Sequence, residues 1–215
     1  GTPTVVVIVG GSAVTMGNWI DKVSSIVDVW YPGEEGGHAV AAVLSGAYNP
    51  GAKLPITFPV SEAQLPLVYN HKPTGRGDDY ENLTGLPLFP FGYGLSYTTF
   101  EYSNLMIDKP TAKKGDNITV SFVVTNTGKL AGDEVAQLYL RDQIASVARP
   151  VQALKGFERI HLAAGASKTI KLTLNPEDFE MLNEKMETVI EPGDFTIMIG
   201  SSSRDIRLKK TVTLQ

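Results

Sequence analysis

Thr4-Val5-Val6-Val7-Ile8-Val9 is an unbroken run of β-branched residues, closed by the pair Gly10-Gly11. Apolar residues at nearly every position, rather than every second one, predict a strand buried on both faces of a parallel sheet and paired along both edges. Val27-Asp28-Val29-Trp30-Tyr31 reads as a second strand, stopped by Pro32-Gly33. Residues 34–45 read as a helix: Glu34 and Glu35 suit the positive end of its dipole, and Ala39, Val40, Val43 and Leu44 fall on one face. Gly46 and Asn49-Pro50-Gly51 end it. A short helix is expected over 19–23 and a further short strand over 54–58. Strand, helix, strand is the parallel α/β pattern, with right-handed crossovers.

Working outward, the periodicity disappears between Pro59 and Pro90, where prolines and glycines punctuate a connector longer than most structureless loops. Beyond Phe100 the period becomes two. Ile118, Val120, Phe122 and Val124 form one row, Ala136, Leu138 and Leu140 a second, and Ile170, Leu172 and Leu174 a third. Phe195, Ile197 and Ile199, then Ile206, Leu208, Val212 and Leu214, continue the pattern, with turn signals such as Asn126-Thr127-Gly128 and Pro192-Gly193-Asp194 between rows. About seven half-buried strands over roughly 110 residues describe a fibronectin-like or immunoglobulin-like sandwich.

Composition narrows the function classes. The 215 residues carry 19 Lys+Arg against 23 Asp+Glu, a formal charge of −4, so nothing calls for nucleic acid or an anionic membrane as a partner. Zero cysteines exclude disulfides, thiolate metal sites and cysteine nucleophiles while leaving the compartment open. No run approaches the ~20 apolar residues of a membrane helix, and no signal-peptide pattern opens the chain, so a soluble chain is expected.

Several motifs, in order, resemble one family. Trp30-Tyr31-Pro32-Gly33-Glu34-Glu35-Gly36-Gly37 and Asn49-Pro50-Gly51-Ala52-Lys53-Leu54-Pro55-Ile56-Thr57-Phe58-Pro59 resemble the late part of the α/β-sandwich domain of glycoside hydrolase family 3, the β-glucosidase family. Pro90-Phe91-Gly92-Tyr93-Gly94-Leu95-Ser96-Tyr97 resembles that family's junction into its fibronectin type III-like domain, which Leu154-Lys155-Gly156-Phe157 also matches. The resemblance implies an α/β partial sandwich domain with an incomplete parallel sheet over 1–72, a connector over 73–98, and an all-β sandwich over 99–215. It implies part of a retaining hydrolase of β-linked glucosides or related glycosides, needing two carboxyl groups. In the family the nucleophilic Asp lies on an N-terminal barrel and the acid/base Glu upstream of the strand at residues 4–9. No catalytic residue is therefore assigned in this chain, and the chain alone is expected to be inactive. An N-terminal polypeptide carrying the barrel and the start of the α/β domain is the expected partner, with saccharide bound by the assembly. The sandwich is expected to brace the catalytic domains or shape a homo-oligomer interface. The resemblance favours the periplasm or the cell exterior. The alternative reading is a non-catalytic carbohydrate-binding or adhesion module.

The remaining chemistry-bearing residues have plain readings. Roughly sixty α/β residues cannot cover a doubly buried strand, which independently predicts a missing partner for that sheet. His38, His71 and His161 are too far apart for a metal site, and no cofactor is expected. His71 and Arg76, in the connector, are the candidates for residues near substrate. Asp78, Asp79 and Glu81 read as a solvated loop, and Asn82 and Asn117 open glycosylation sequons. Gly92-Tyr93-Gly94 reads as a tight turn where close backbone approach demands glycine. Trp30 is expected in the core.

Overall fold

A computed structural model describes every residue except 75–78, 80, 82 and 83. Strands β1 (Val5–Ile8) and β2 (Ser25–Asp28) pair in parallel, Val5 opposite Ser25 through Ile8 opposite Asp28. Helix α1 (Gly36–Ser45) follows and stops at Gly46, whose φ of 78° is the left-handed conformation that glycine adopts without a Cβ penalty. Among the described residues, the parallel sheet contains these two strands only.

Strand β1 is covered completely on neither face and, among the described residues, is paired along one edge, as expected of an incomplete sheet: Val5 is 43% exposed, and Val9, just past the strand, 65%. The chain supplies it with one parallel partner and one helix, too little to enclose it. The second strand ends at Asp28 rather than Tyr31, because Trp30 takes a φ of 51°, which no strand accommodates. Trp30 itself is half-buried, edge-on to Phe58 at 6.3 Å. Residues 54–58 form no strand of their own; Pro55 interrupts them, and Phe58 makes an isolated antiparallel bridge to Phe89. Finally, α1 begins at Gly36 with Glu35 as its N-cap residue, so the two glutamates precede the first turn instead of occupying it. The helix expected over 19–23 is a single 3-10 turn, Ile20–Lys22.

The second half is a two-sheet sandwich. One sheet holds β3 (Phe100–Ile107), β5 (Ile118–Asn126) and β8 (Ser167–Leu174) in the order β3-β5-β8. The other runs β4-β12-β11-β6-β7, built from β4 (Thr111–Ala112), β6 (Gly132–Asp142), β7 (Ala153–Leu162), β11 (Gly193–Gly200) and β12 (Ile206–Leu214). The pair β9 (Met181–Leu182) and β10 (Thr188–Val189) forms a small ribbon. The rows with a period of two meet between the sheets: Ile118, Val120, Phe122, Val124, Leu138, Ile197 and Ile199 are wholly buried. Such alternation is what a sheet with one wet face requires.

On β6 and β11 that rule breaks. Gln137, Tyr139 and Met198 point away from the sandwich core yet are 3%, 0% and 6% exposed. The connector lies over them. Tyr69 stacks on Phe91 with ring centroids 4.3 Å apart and meets Tyr139 edge-on at 5.9 Å. Its hydroxyl accepts from the Leu154 amide (3.1 Å), and the Ser203 amide donates to the Phe91 carbonyl (3.0 Å). A segment without repeating structure thus works as a strap that satisfies its backbone groups on the sheet it covers.

Candidate functional site

The loops after β1 and β2 leave the carboxyl ends of the parallel pair, where α/β folds place ligands. The Trp30 amide donates to Asp28 Oδ1 (3.1 Å), while Asp28 Oδ2 is buried and unpartnered among the described residues. Glu35 turns outward and binds His38 Nδ1 at 2.7 Å, both side chains more than three-quarters exposed. This pair is a surface contact near the N-terminus of α1, in no enclosed cleft. A retaining glycosidase needs two carboxyl groups about 5 Å apart, one of them kept protonated by its surroundings. Among the described residues, Asp142 is the one carboxyl shifted upward, by burial, and it lies on the sandwich facing Arg149 at 4.0 Å. Asp79, Asp116, Glu191 and Asp205 are all held below the usual carboxylate range by hydrogen bonds, which keeps them ionised and unsuited to act as acids. Among the described residues, no three His, Asp or Glu side chains gather as a metal site.

His71 sits on the strap. Its carbonyl accepts from the Val151 amide (2.9 Å), its ring Nδ1 lies 3.0 Å from the Lys72 carbonyl, and it lines a cavity between the strap and the outer face of the five-stranded sheet. Arg76 and Asp78 lie outside the described residues, as does the sequon at Asn82.

What sequence reading missed is the weld between the α/β half and the sandwich. Lys53 Nζ reaches Glu134 Oε1 at 2.9 Å, with side chains 13% and 5% exposed, and donates to the Gly94 carbonyl. Asn49 donates to the Ala131 carbonyl (2.9 Å) and accepts from Ser96 Oγ and the Tyr97 amide. The Tyr97 hydroxyl caps the Val43 carbonyl in α1 (2.8 Å). Arg159 spans Asp133 and the Tyr48 hydroxyl. The glycines between these contacts permit them: a Cβ at Gly51 would strike Asp133, one at Gly92 would strike Gln137, and one at Gly94 would strike the Ala52 carbonyl. The expected tight turn at Gly92-Tyr93-Gly94 is therefore present, with φ of 80° at Gly92. Lys53 and Glu134 are ordinary surface types in sequence, so only their burial betrays them.

A partial parallel unit strapped and welded to a β-sandwich is a recognised combination of domains. Residues 1–97 match the glycosyl hydrolase family 3 C-terminal domain, and residues 134–203 match a fibronectin type III-like domain. The chain belongs to glycoside hydrolase family 3 and corresponds to the C-terminal part of its members. A β-xylosidase of Formosa agariphila is 43% identical over all of this chain, and a periplasmic β-glucosidase of Salmonella typhimurium is 41% identical over 96% of it. The crystal structure of a β-glucosidase from Listeria innocua in complex with glucose superimposes over the whole chain with a TM-score of 0.95 at 34% identity. The chain spans only 30%, 28% and 31% of those three proteins.

Proposed function

We propose that this chain is the C-terminal portion of a retaining β-glucosidase-type hydrolase acting on terminal β-linked glucosyl or related residues. The catalytic Asp and Glu are carried by an N-terminal polypeptide with the barrel and the first part of the α/β domain, and the chain alone is inactive. Its α/β half completes that domain, and the sandwich braces it through the Lys53–Glu134 and Asn49 contacts. The observation that carries this reading is the exposed, singly paired β1, a strand whose composition suits full enclosure and which this chain does not enclose. His71 and Arg76 are the candidates for residues near substrate in the completed assembly, and the boundaries of the three segments fall at 72 and 98.

An aryl β-glucoside is assayed with this chain, with the N-terminal polypeptide, and with both together. Hydrolysis in the mixture alone supports the reading. Hydrolysis by this chain alone, or saccharide binding by it that gains nothing from the N-terminal polypeptide, refutes it and favours a free-standing binding module.

A further inference from the structure

The cavity beneath the strap has a volume of about 300 Å³, at the small end of ligand sites. Its lining is mixed, and Met198, Ile206 and Phe91 are among its apolar members. Its charged lining is of one sign: Arg141 and Lys209 from the sheet and Arg204 beyond it, with no Asp or Glu among the described lining residues; His71 also lines it. Asp79 offsets Arg204 electrostatically from outside that lining. Arg141 and Lys209 have no ion-pair partner among the described residues.

The ladder fixes how these two cations relate. Arg141 on β6 is opposite Thr196 on β11, which is opposite Thr211 on β12, two residues from Lys209. Two strand spacings and a two-residue offset put their Cα atoms roughly 12 Å apart on one face. Long side chains rising from both positions bracket Met198, which is directly opposite Lys209. In a chain whose formal charge is −4, two cations line one cavity together with Met198 and Phe91. Like charges held so are relieved by a bound anion, and the apolar side chains beside them offer a surface for a ring.

We propose that this cavity binds one small ring-bearing carboxylate, its carboxylate between Arg141 and Lys209 and its ring on Met198 and Phe91. An acidic sugar and an aromatic acid share that chemistry. The inference stands apart from the hydrolase reading, because no catalytic group enters it.

The 215-residue chain is titrated calorimetrically with sodium glucuronate and with sodium benzoate, using glucose as a neutral probe and inorganic phosphate as an anion without a ring. We expect one-site saturation by at least one carboxylate, weakened at least tenfold in the double variant Arg141→Gln/Lys209→Gln and unchanged in Lys168→Gln. Both altered side chains are exposed, and the melting temperature of the double variant, followed by circular dichroism, reports that it is folded. Tighter glucuronate assigns the site to acidic sugars, tighter benzoate to aromatic acids. Failure of both to saturate, phosphate or glucose binding as tightly as the better carboxylate, or binding that survives the double substitution in a folded protein overturns the proposal.

Discussion

Replacing Asn126 by Ala tests how the sandwich closes. The side chain is wholly buried at the end of β5 and makes four hydrogen bonds. Its Oδ1 accepts from Thr98 Oγ1 (2.7 Å) and the Gly128 amide (3.0 Å), and its Nδ2 donates to the carbonyls of Leu130 (2.8 Å) and Leu162 (3.0 Å). Alanine removes all four. Gly128 and Leu130 lie near enough to solvent to rehydrate, at a net loss of about 1 kcal/mol each, whereas Thr98 and Leu162 are buried and left unpaired at ~1–3 kcal/mol each. The expected loss is about 4–8 kcal/mol, comparable to the ~5–15 kcal/mol that typical domains possess. Urea unfolding followed by circular dichroism measures it. Trp19 and Trp30 lie in the α/β half, so tryptophan fluorescence in the same titration reports whether that half unfolds with the sandwich. Asn126→Asp keeps the shape but points a carboxylate at two carbonyls, so it should be at least as destabilising at neutral pH. A loss below about 1 kcal/mol for Ala, or a neutral Asp variant, would refute the reasoning.

Three further outcomes are expected. Lys53→Met strands the buried Glu134 carboxylate and should cost ~3 kcal/mol or more, while Lys53→Met combined with Glu134→Leu recovers most of it; denaturant midpoints of the two variants decide this. Burial pushes the Asp133 carboxyl up, but the hydrogen bonds and charges of His161 and Arg159 outweigh it and leave its pKa below the usual value. The unfolded chain therefore binds more protons in the acid range, so this stability is complete above the ordinary Asp pKa near ~3.9 and is lost as pH falls through the lower folded value. Asp133→Asn should flatten the acid limb of the stability curve, and an unchanged limb would count against the pairing. Gly92→Ala, at a φ of 80° and against Gln137, should destabilise by ~2 kcal/mol in thermal melts.

The sandwich was legible because a period of two survives translation into structure wherever one face is wet, as on β5. The α/β half was legible in type and less so in extent. Its strand boundaries depended on a left-handed Trp30 that composition does not announce, and β1 was read for a sheet larger than the one present. The weld and the strap escaped for a common reason: Gln137, Lys53 and Glu134 are polar residues, and Tyr139 an aromatic one, whose contacts across the junction and the strap reach 40 or more positions along the chain, and local patterning carries no information about such pairs. The glycines at 92 and 94 were the exception, since the demand for close approach shows in residue type.

The strap also bears on how portable the sandwich is. A β-domain of this kind suggests a cassette that can be cut out at its first strand, Phe100, and attached elsewhere. Here such a cut would strip the cover from Tyr139, Met198 and Gln137 and open an apolar, sticky sheet face to solvent. The smallest transplantable unit begins well upstream, with the segment that carries Lys53 to the junction and Tyr69 to the sheet.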